Sequence, residues 1–154
     1  WSNMNASILG WLARSFDVSP TFTPVLLEPR IVRPLWLSGV VGVAVLTLFA
    51  ARRSVAHAFA ITLFGSLLIS PLGWVYYVPL AVPPCLELWN RQRPPLAVLG
   101  ITLALTPLFV PSAFGLNGLA ATTLGSIYFW SVAVLFVAVV LSPGAEATDV
   151  GTVT

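Results

Sequence analysis

The stretch VAHAFAITLFGSLLISPLGWVYYVPLAVPPCLELW, residues 55–89, decides how this chain folds. It is apolar over 35 residues and is flanked by Arg52-Arg53 on one side and by Arg91 and Arg93 on the other. A single membrane-crossing helix needs only about 20 apolar residues. Two helices joined by a tight turn fit the length better, and Pro71-Leu72-Gly73 is the only turn signal in the middle. The stretch therefore reads as a hairpin of two short spans, 54–70 and 74–89, hinged at SPLGW, residues 70–74.

The rest of the chain is consistent with this reading. Of its 154 residues 58% are hydrophobic and 8% are charged, and its mean hydropathy is +0.95. Soluble domains carry about 25% charged residues, so 8% cannot cover a water-facing surface. The expected fold class is an all-α integral membrane protein, a polytopic bundle of about five transmembrane helices. The other three spans are 34–51, 95–111 and 124–141. Pro34 suits the first turn of its helix, and Pro107 is expected to kink the fourth span. Residues 1–33 form an extracytoplasmic segment. Within it, Asn5 to Phe16 reads as a short amphipathic helix lying flat in the interface, started by Asn5 or Ser2 and stopped by DVSPTFTP. Residues 34–142 form the transmembrane domain, and 143–154 a disordered cytoplasmic tail.

Charge placement orients the bundle. Arg52/Arg53 and Arg91/Arg93 lie two spans apart and so on one side, which the positive-inside rule puts in the cytoplasm. The segment 1–33, the turn at 70–74 and the loop 112–123 then face outward. The formal net charge is +2, from seven Arg and no Lys against five acids. That is too little and too scattered for nucleic-acid binding. The single Cys85 forms no intrachain disulfide and anchors no metal cluster. The chain opens on Trp1 without a signal-peptide pattern and is expected to be the C-terminal part of a longer protein, with its N-terminal half as its natural partner.

Few side chains carry candidate chemistry. His57, the only histidine, reads as an interfacial helix residue, and Glu87 as the i,i+4 partner of Arg91. Asp17 and Glu28 read as screened surface partners of Arg14 and Arg30. No span centre holds a charge, which argues against an ion pump. Trp1, Trp11, Trp36, Trp74, Tyr76, Tyr77, Tyr128 and Trp130 fall at the outer face. An aromatic belt accounts for Trp36, Tyr128 and Trp130. Trp74 and Tyr77 point one way on a helix and Tyr76 another, which suits the wall of a sugar or pyrophosphate site as well as a belt.

Two motifs resemble a family. NMNASILGWLAR, with Asn5, Ser7, Gly10 and Arg14, resembles the Asn-Gln-Ser-x-x-Gly-x-x-x-Arg segment of polytopic GT-C glycosyltransferases, with Ala6 in place of Gln. SPLGWVYYVPL resembles the Ser-Pro-x-Ser-Trp-x-His-His/Tyr segment of the same enzymes through Ser70, Pro71 and Trp74, with Gly73 for Ser and Tyr76 and Tyr77 where histidines are common. The group these motifs resemble is glycosyltransferase family 87 (DUF2029), which includes polyprenyl-phosphate-mannose-dependent mannosyltransferases. The resemblance covers residues 1–90. It implies transfer of a hexose from a polyprenyl-phosphate donor to a lipid or glycan acceptor, on the extracytoplasmic face of a prokaryotic plasma membrane. It implies a donor-phosphate and substrate site of Asn5, Ser7, Arg14, Trp74, Tyr76 and Tyr77, no cofactor and no metal ligand. The catalytic carboxylate is implied to lie upstream, so no catalytic residue is assigned here. A transporter or permease fragment and a non-catalytic membrane subunit are the other readings; no internal repeat supports the first.

Overall fold

The computed structural model describes residues 4–19, 21–73, 75–81, 83, 95–114 and 116–142. Among these, every regular element is helical. The order is α1 (Ile8–Phe16), α2 (Pro29–Ala51), α3 (Val55–Ile69), a 3₁₀ segment (Val75–Ala81), α4 (Pro95–Ala104), α5 (Phe109–Phe114), α6 (Leu119–Thr122), a second 3₁₀ turn (Leu124–Ser126) and α7 (Ile127–Leu141). Two segments, Pro29–Ala51 and Leu119–Leu141, are long and apolar enough to cross a membrane. The hinge at residue 70 is present: α3 ends at Ile69, and Pro71 and Leu72 turn the chain.

Several boundaries differ from expectation, each for a local reason. The first long helix starts at Pro29, which takes the first-turn position expected for Pro34, while Pro34 lies inside the helix. The fourth span does not run to residue 111. It stops at Ala104 and a separate short helix starts at Phe109, so Pro107 breaks the helix rather than kinking it. The third span opens as a 3₁₀ segment containing Pro79, which cannot donate to a helical hydrogen bond. Its continuation to residue 89 lies outside the described residues. So do Trp1, Ser2, Trp74, Cys85, Glu87, Arg91, Arg93 and the 143–154 tail.

α1 also differs. It does not lie flat and apart but packs on α2, α3 and α6. Leu12, Ala13, Arg14 and Ser15 are all buried, so its polar face is covered as well as its apolar one. Ile8 sits over Gly39 in the middle of α2, while the Phe16 carbonyl accepts from the Glu28 amide at the start of α2 (3.0 Å). The two helices therefore form an antiparallel hairpin closed by residues 17–28.

The core lies where α3 and α7 meet α2. Ile61, Phe64, Val132, Leu135 and Val139 are fully buried, with Val43 and Ala50 of α2 beside them. Close packing holds a helix bundle together whether water or lipid surrounds it. Two glycines permit that packing. A Cβ on Gly65 would meet Thr47 Oγ1 at 2.7 Å, and one on Gly100 would meet Leu135 Cγ at 2.6 Å, so the α2–α3 and α4–α7 backbones approach closely at these points. Ser131 Oγ adds a bond to the Gly100 carbonyl (2.8 Å).

The two ends of the bundle are distinct. At one end Arg53 Nη1 donates to the Val140 and Ser142 carbonyls at the C-terminus of α7, where a cation meets the negative end of the helix dipole. His57 is buried there, its ring nitrogens 2.9 Å from Ser54 Oγ and 2.7 Å from Ser142 Oγ, so it is a latch between α3 and α7 rather than an interfacial residue. Beyond the opposite ends of the shorter helices α3 and α7 lie α1, the 70–73 turn, and residues 105–114 and 116–126. Gly100→Val should pry α4 from α7 and lower stability by about 2 kcal/mol, as overpacking does. Gly42→Ala, which fills open space, should not. Unfolding of the purified protein by titrating SDS into mild detergent measures both.

Candidate functional site

The two motifs come together in space. Ser7 takes the N-cap of α1 that was expected of Asn5 or Ser2: its Oγ accepts from the Gly10 amide (3.0 Å). Asn5 does a different job. Its Oδ1 accepts from the Ser7 amide (2.9 Å), and its Nδ2 donates to the Pro71 carbonyl (2.9 Å). The Ala6 amide donates to the Gly73 carbonyl (2.6 Å). Asn5 and Ala6 thus clamp the 70–73 turn across more than sixty residues of sequence.

Two glycines make the clamp possible. A Cβ on Gly10 would lie 2.7 Å from Asn5 Cγ. A Cβ on Gly73 would strike the Leu67 carbonyl and crowd Ser7 at 3.2 Å. Gly73, which replaces the serine of the family pattern, therefore stands where a side chain has no room.

Arg14 joins the clamp to α7. It is fully buried. Its Nε donates to Ser126 Oγ (2.8 Å) and its Nη2 to the Asn5 carbonyl (3.0 Å). Ser126 Oγ donates in turn to the Ala121 carbonyl (2.8 Å). Among the described residues the expected pairs of Asp17 with Arg14 and of Glu28 with Arg30 are not seen; Asp17 Oδ1 accepts from the Val18 amide. Burial pushes the Arg14 guanidinium down from its ordinary value to about 10, which leaves it protonated at pH 7. A fall of that size corresponds to about 3 kcal/mol. Two charge-assisted hydrogen bonds at roughly 1.5–3 kcal/mol each offset it. Arg14 thus fixes geometry more than it adds net stability. The sign is that of a depressed base: the folded state sheds its proton first, so this penalty fades as pH rises above about 10.

An aromatic group backs the clamp. Trp11 stacks on Phe129 (5.1 Å between centroids), and Trp130 meets both rings edge-on. The Nε1 atoms of Trp11 and Trp130 converge on the Thr122 carbonyl (3.2 and 2.8 Å). Tyr128, expected in a belt, is buried and donates to the Thr106 carbonyl (2.7 Å).

Of the six expected site residues, Asn5, Ser7 and Arg14 form one junction whose polar atoms bond within the protein. Tyr76 and Tyr77 stand outside it, 65% and 49% exposed. Tyr76 Oη lies 3.5 Å from Met4 Sδ, a weak contact that keeps the ring beside the start of the first motif. Trp74 lies outside the described residues. Sequence reasoning missed Ser126, whose signal was a lone hydroxyl between Gly125 and an apolar run. Among the described residues, no group of His, Cys, Asp and Glu could hold a metal ion. No protein-family model, no curated protein and no solved structure matches this chain.

Gly10→Ala puts the junction to a test with a diagnostic sign. Alanine ordinarily stabilises a helix interior by about 1 kcal/mol over glycine. Here it should destabilise, because the added methyl displaces Asn5 from the turn. Ser126→Ala, which strips the Arg14 Nε of its partner, should lower stability by about 2 kcal/mol. SDS unfolding reads both.

Proposed function

We propose that this chain is part of a polytopic membrane glycosyltransferase. It moves a hexose, mannose by the resemblance, from a polyprenyl-phosphate donor to a lipid or glycan acceptor at the extracytoplasmic face of a prokaryotic plasma membrane. The five-span bundle belongs to this proposal, as does the upstream half with its catalytic carboxylate. The observation that carries the reading is the junction itself. The two motifs that resemble family 87 lie far apart in sequence, yet Asn5 and Ala6 of one bond to Pro71 and Gly73 of the other.

The geometry divides the labour. Asn5, Ser7 and Arg14 position the turn, and Tyr76 and Tyr77 present their rings outward, where a donor can reach them. A phenol donates a hydrogen bond to a phosphate oxygen but is no base near pH 7, so the tyrosines bind rather than transfer protons. Arg14 reaches a donor phosphate only by exchanging its bonds to Ser126 and Asn5, an exchange that suits a guanidinium.

A non-catalytic membrane subunit is the second reading. It is favoured by the way Asn5, Ser7 and Arg14 bond among themselves and to neighbouring carbonyls. The two readings separate in an assay of the full-length protein with polyprenyl-phosphate sugars. Tyr76→Phe with Tyr77→Phe should lower kcat/KM about tenfold, the loss of one hydrogen bond to a charged group, without loss of membrane insertion. Unchanged transfer in Tyr77→Ala and in Arg14→Ala would remove the site, and no transfer from any such donor by the unaltered protein would leave the subunit reading.

A further inference from the structure

Residues 17–19, 21–28, 105–114 and 116–119 make an unusual surface. Val18, Leu26, Leu27, Phe114, Leu116 and Leu119 are apolar and exposed, Val18 at 69% and Leu119 at 73%; all but Leu119, which opens the apolar segment Leu119–Leu141, sit on loops and short helices outside the two long segments. Loops normally stay out of hydrocarbon because their backbone groups need water. This one meets much of that need from within. The Val25 and Leu26 amides donate to the Ser15 carbonyl (3.0 and 3.4 Å), and the Glu28 amide donates to Phe16. Thr23 ties the two loops together. Its amide donates to Leu116, its carbonyl accepts from Gly118 (2.7 Å), and its hydroxyl donates to Asn117 Oδ1 (3.1 Å). Beside it, Val18, Ser19, Phe22, Thr23, Pro24 and Leu27 line an open cavity of about 370 Å³.

The position fits as well. α2 rises about 1.5 Å per residue, so its 23 residues span about 34 Å from the Arg52 end to Pro29, close to the thickness of a hydrocarbon core of about 30 Å. The loop that leads into Pro29 therefore sits at the opposite surface of the same bilayer, continuous with the exposed flank of α2. With Arg14 buried, Asp17 and Glu28 of the shelf are balanced by Arg30 and Arg33 at the adjoining start of α2, so no net surface charge favours anionic headgroups or an acidic protein here.

We propose that this two-loop shelf, rather than α1, is the part of the segment that docks into the membrane, with Val18, Leu26, Leu27 and Leu119 entering the boundary between headgroups and acyl chains of the outer leaflet. The occupant is bilayer lipid, held by apolar contact and not by charge. The inference rests on the bundle being embedded in a bilayer and is independent of sugar transfer.

The test uses Val18→Cys, Leu27→Cys and Leu119→Cys, each in a Cys85→Ser background of the full chain. Each variant is labelled with NBD and reconstituted into phosphatidylcholine vesicles, and embedding is checked on the same vesicles by resistance to alkaline carbonate. The expected result is blue-shifted emission, strong quenching by lipids carrying a nitroxide just below the headgroup, and little quenching by iodide, unchanged in high salt. Quenching by iodide but not by nitroxide lipid would put the shelf in water and overturn the proposal. Quenching by neither would mean that protein covers it, and overturn it equally. Carbonate-extractable protein would overturn both the embedding and the docking, whereas a failed transfer assay with the expected quenching would count against the enzyme reading alone.

Discussion

A buried guanidinium organises this end of the molecule. Arg14 reaches the Asn5 carbonyl at the start of its own helix and Ser126 on the far side, 112 residues later in the chain. Asn5 holds the turn after α3, and Ser126 stands at the head of α7. The first helix, the hairpin turn and the last helix are thereby fixed to one side chain. A charge taken out of water tolerates little misplacement, because any lost partner leaves it unpaired in a poor dielectric. The neighbouring glycines follow from this: the close approach of Asn5 to Gly10 and of Ser7 to Gly73 is what brings those carbonyls and hydroxyls within reach.

Much of this was legible in the sequence, and what was not has physical causes. Helical class, the break at Pro71 and the two long apolar helices follow from hydropathy and from a proline that cannot continue a helix. The start of α2 was missed because the span was drawn from Pro34, with Arg30 and Arg33 left outside it, although a helix whose flank is exposed carries arginines at its end without strain. α1 was misplaced because Ile8, Trp11, Leu12 and Phe16 make a good interfacial stripe. The pattern gave no sign that the opposite face, with Ala13, Arg14 and Ser15, is covered too. The site was legible as a pair of motifs, not as an arrangement. The family resemblance implied that Asn5, Ser7 and Arg14 belong together; it could not tell that their polar atoms face one another or that Ser126 completes the set.

The two ends use the same devices at different strengths. Arg53 and His57 tie α3 to α7 through carbonyls and hydroxyls, as Arg14 and Asn5 tie α1 to the turn. Arg53 is exposed and Arg14 is not. An exposed arginine at a helix C-terminus contributes a modest dipole interaction that salt screens. The buried one is hardly screened, so the turn end is the more rigidly specified of the two.

That rigidity bears on where the turn sits. Ile8 lies over Gly39, and Ala6 bonds to Gly73, so the turn stands beside the middle of α2, about 15 Å short of Pro29 at about 1.5 Å per residue. The fifteen residues of α3, about 22 Å, fall well short of the roughly 34 Å of α2. If α2 crosses the bilayer, Tyr76 and Tyr77 then lie below the headgroups with their rings exposed. Phenolic hydroxyls find no partner in hydrocarbon, and irregular backbone persists at that depth only where it is buried in protein or lines an aqueous cavity. The flank carrying the two tyrosines therefore faces a recess or another protein element rather than acyl chains. A belt residue would sit at the surface and face lipid; on the proposed reading of the chain as a membrane enzyme, that depth suits the wall of a site for these two side chains.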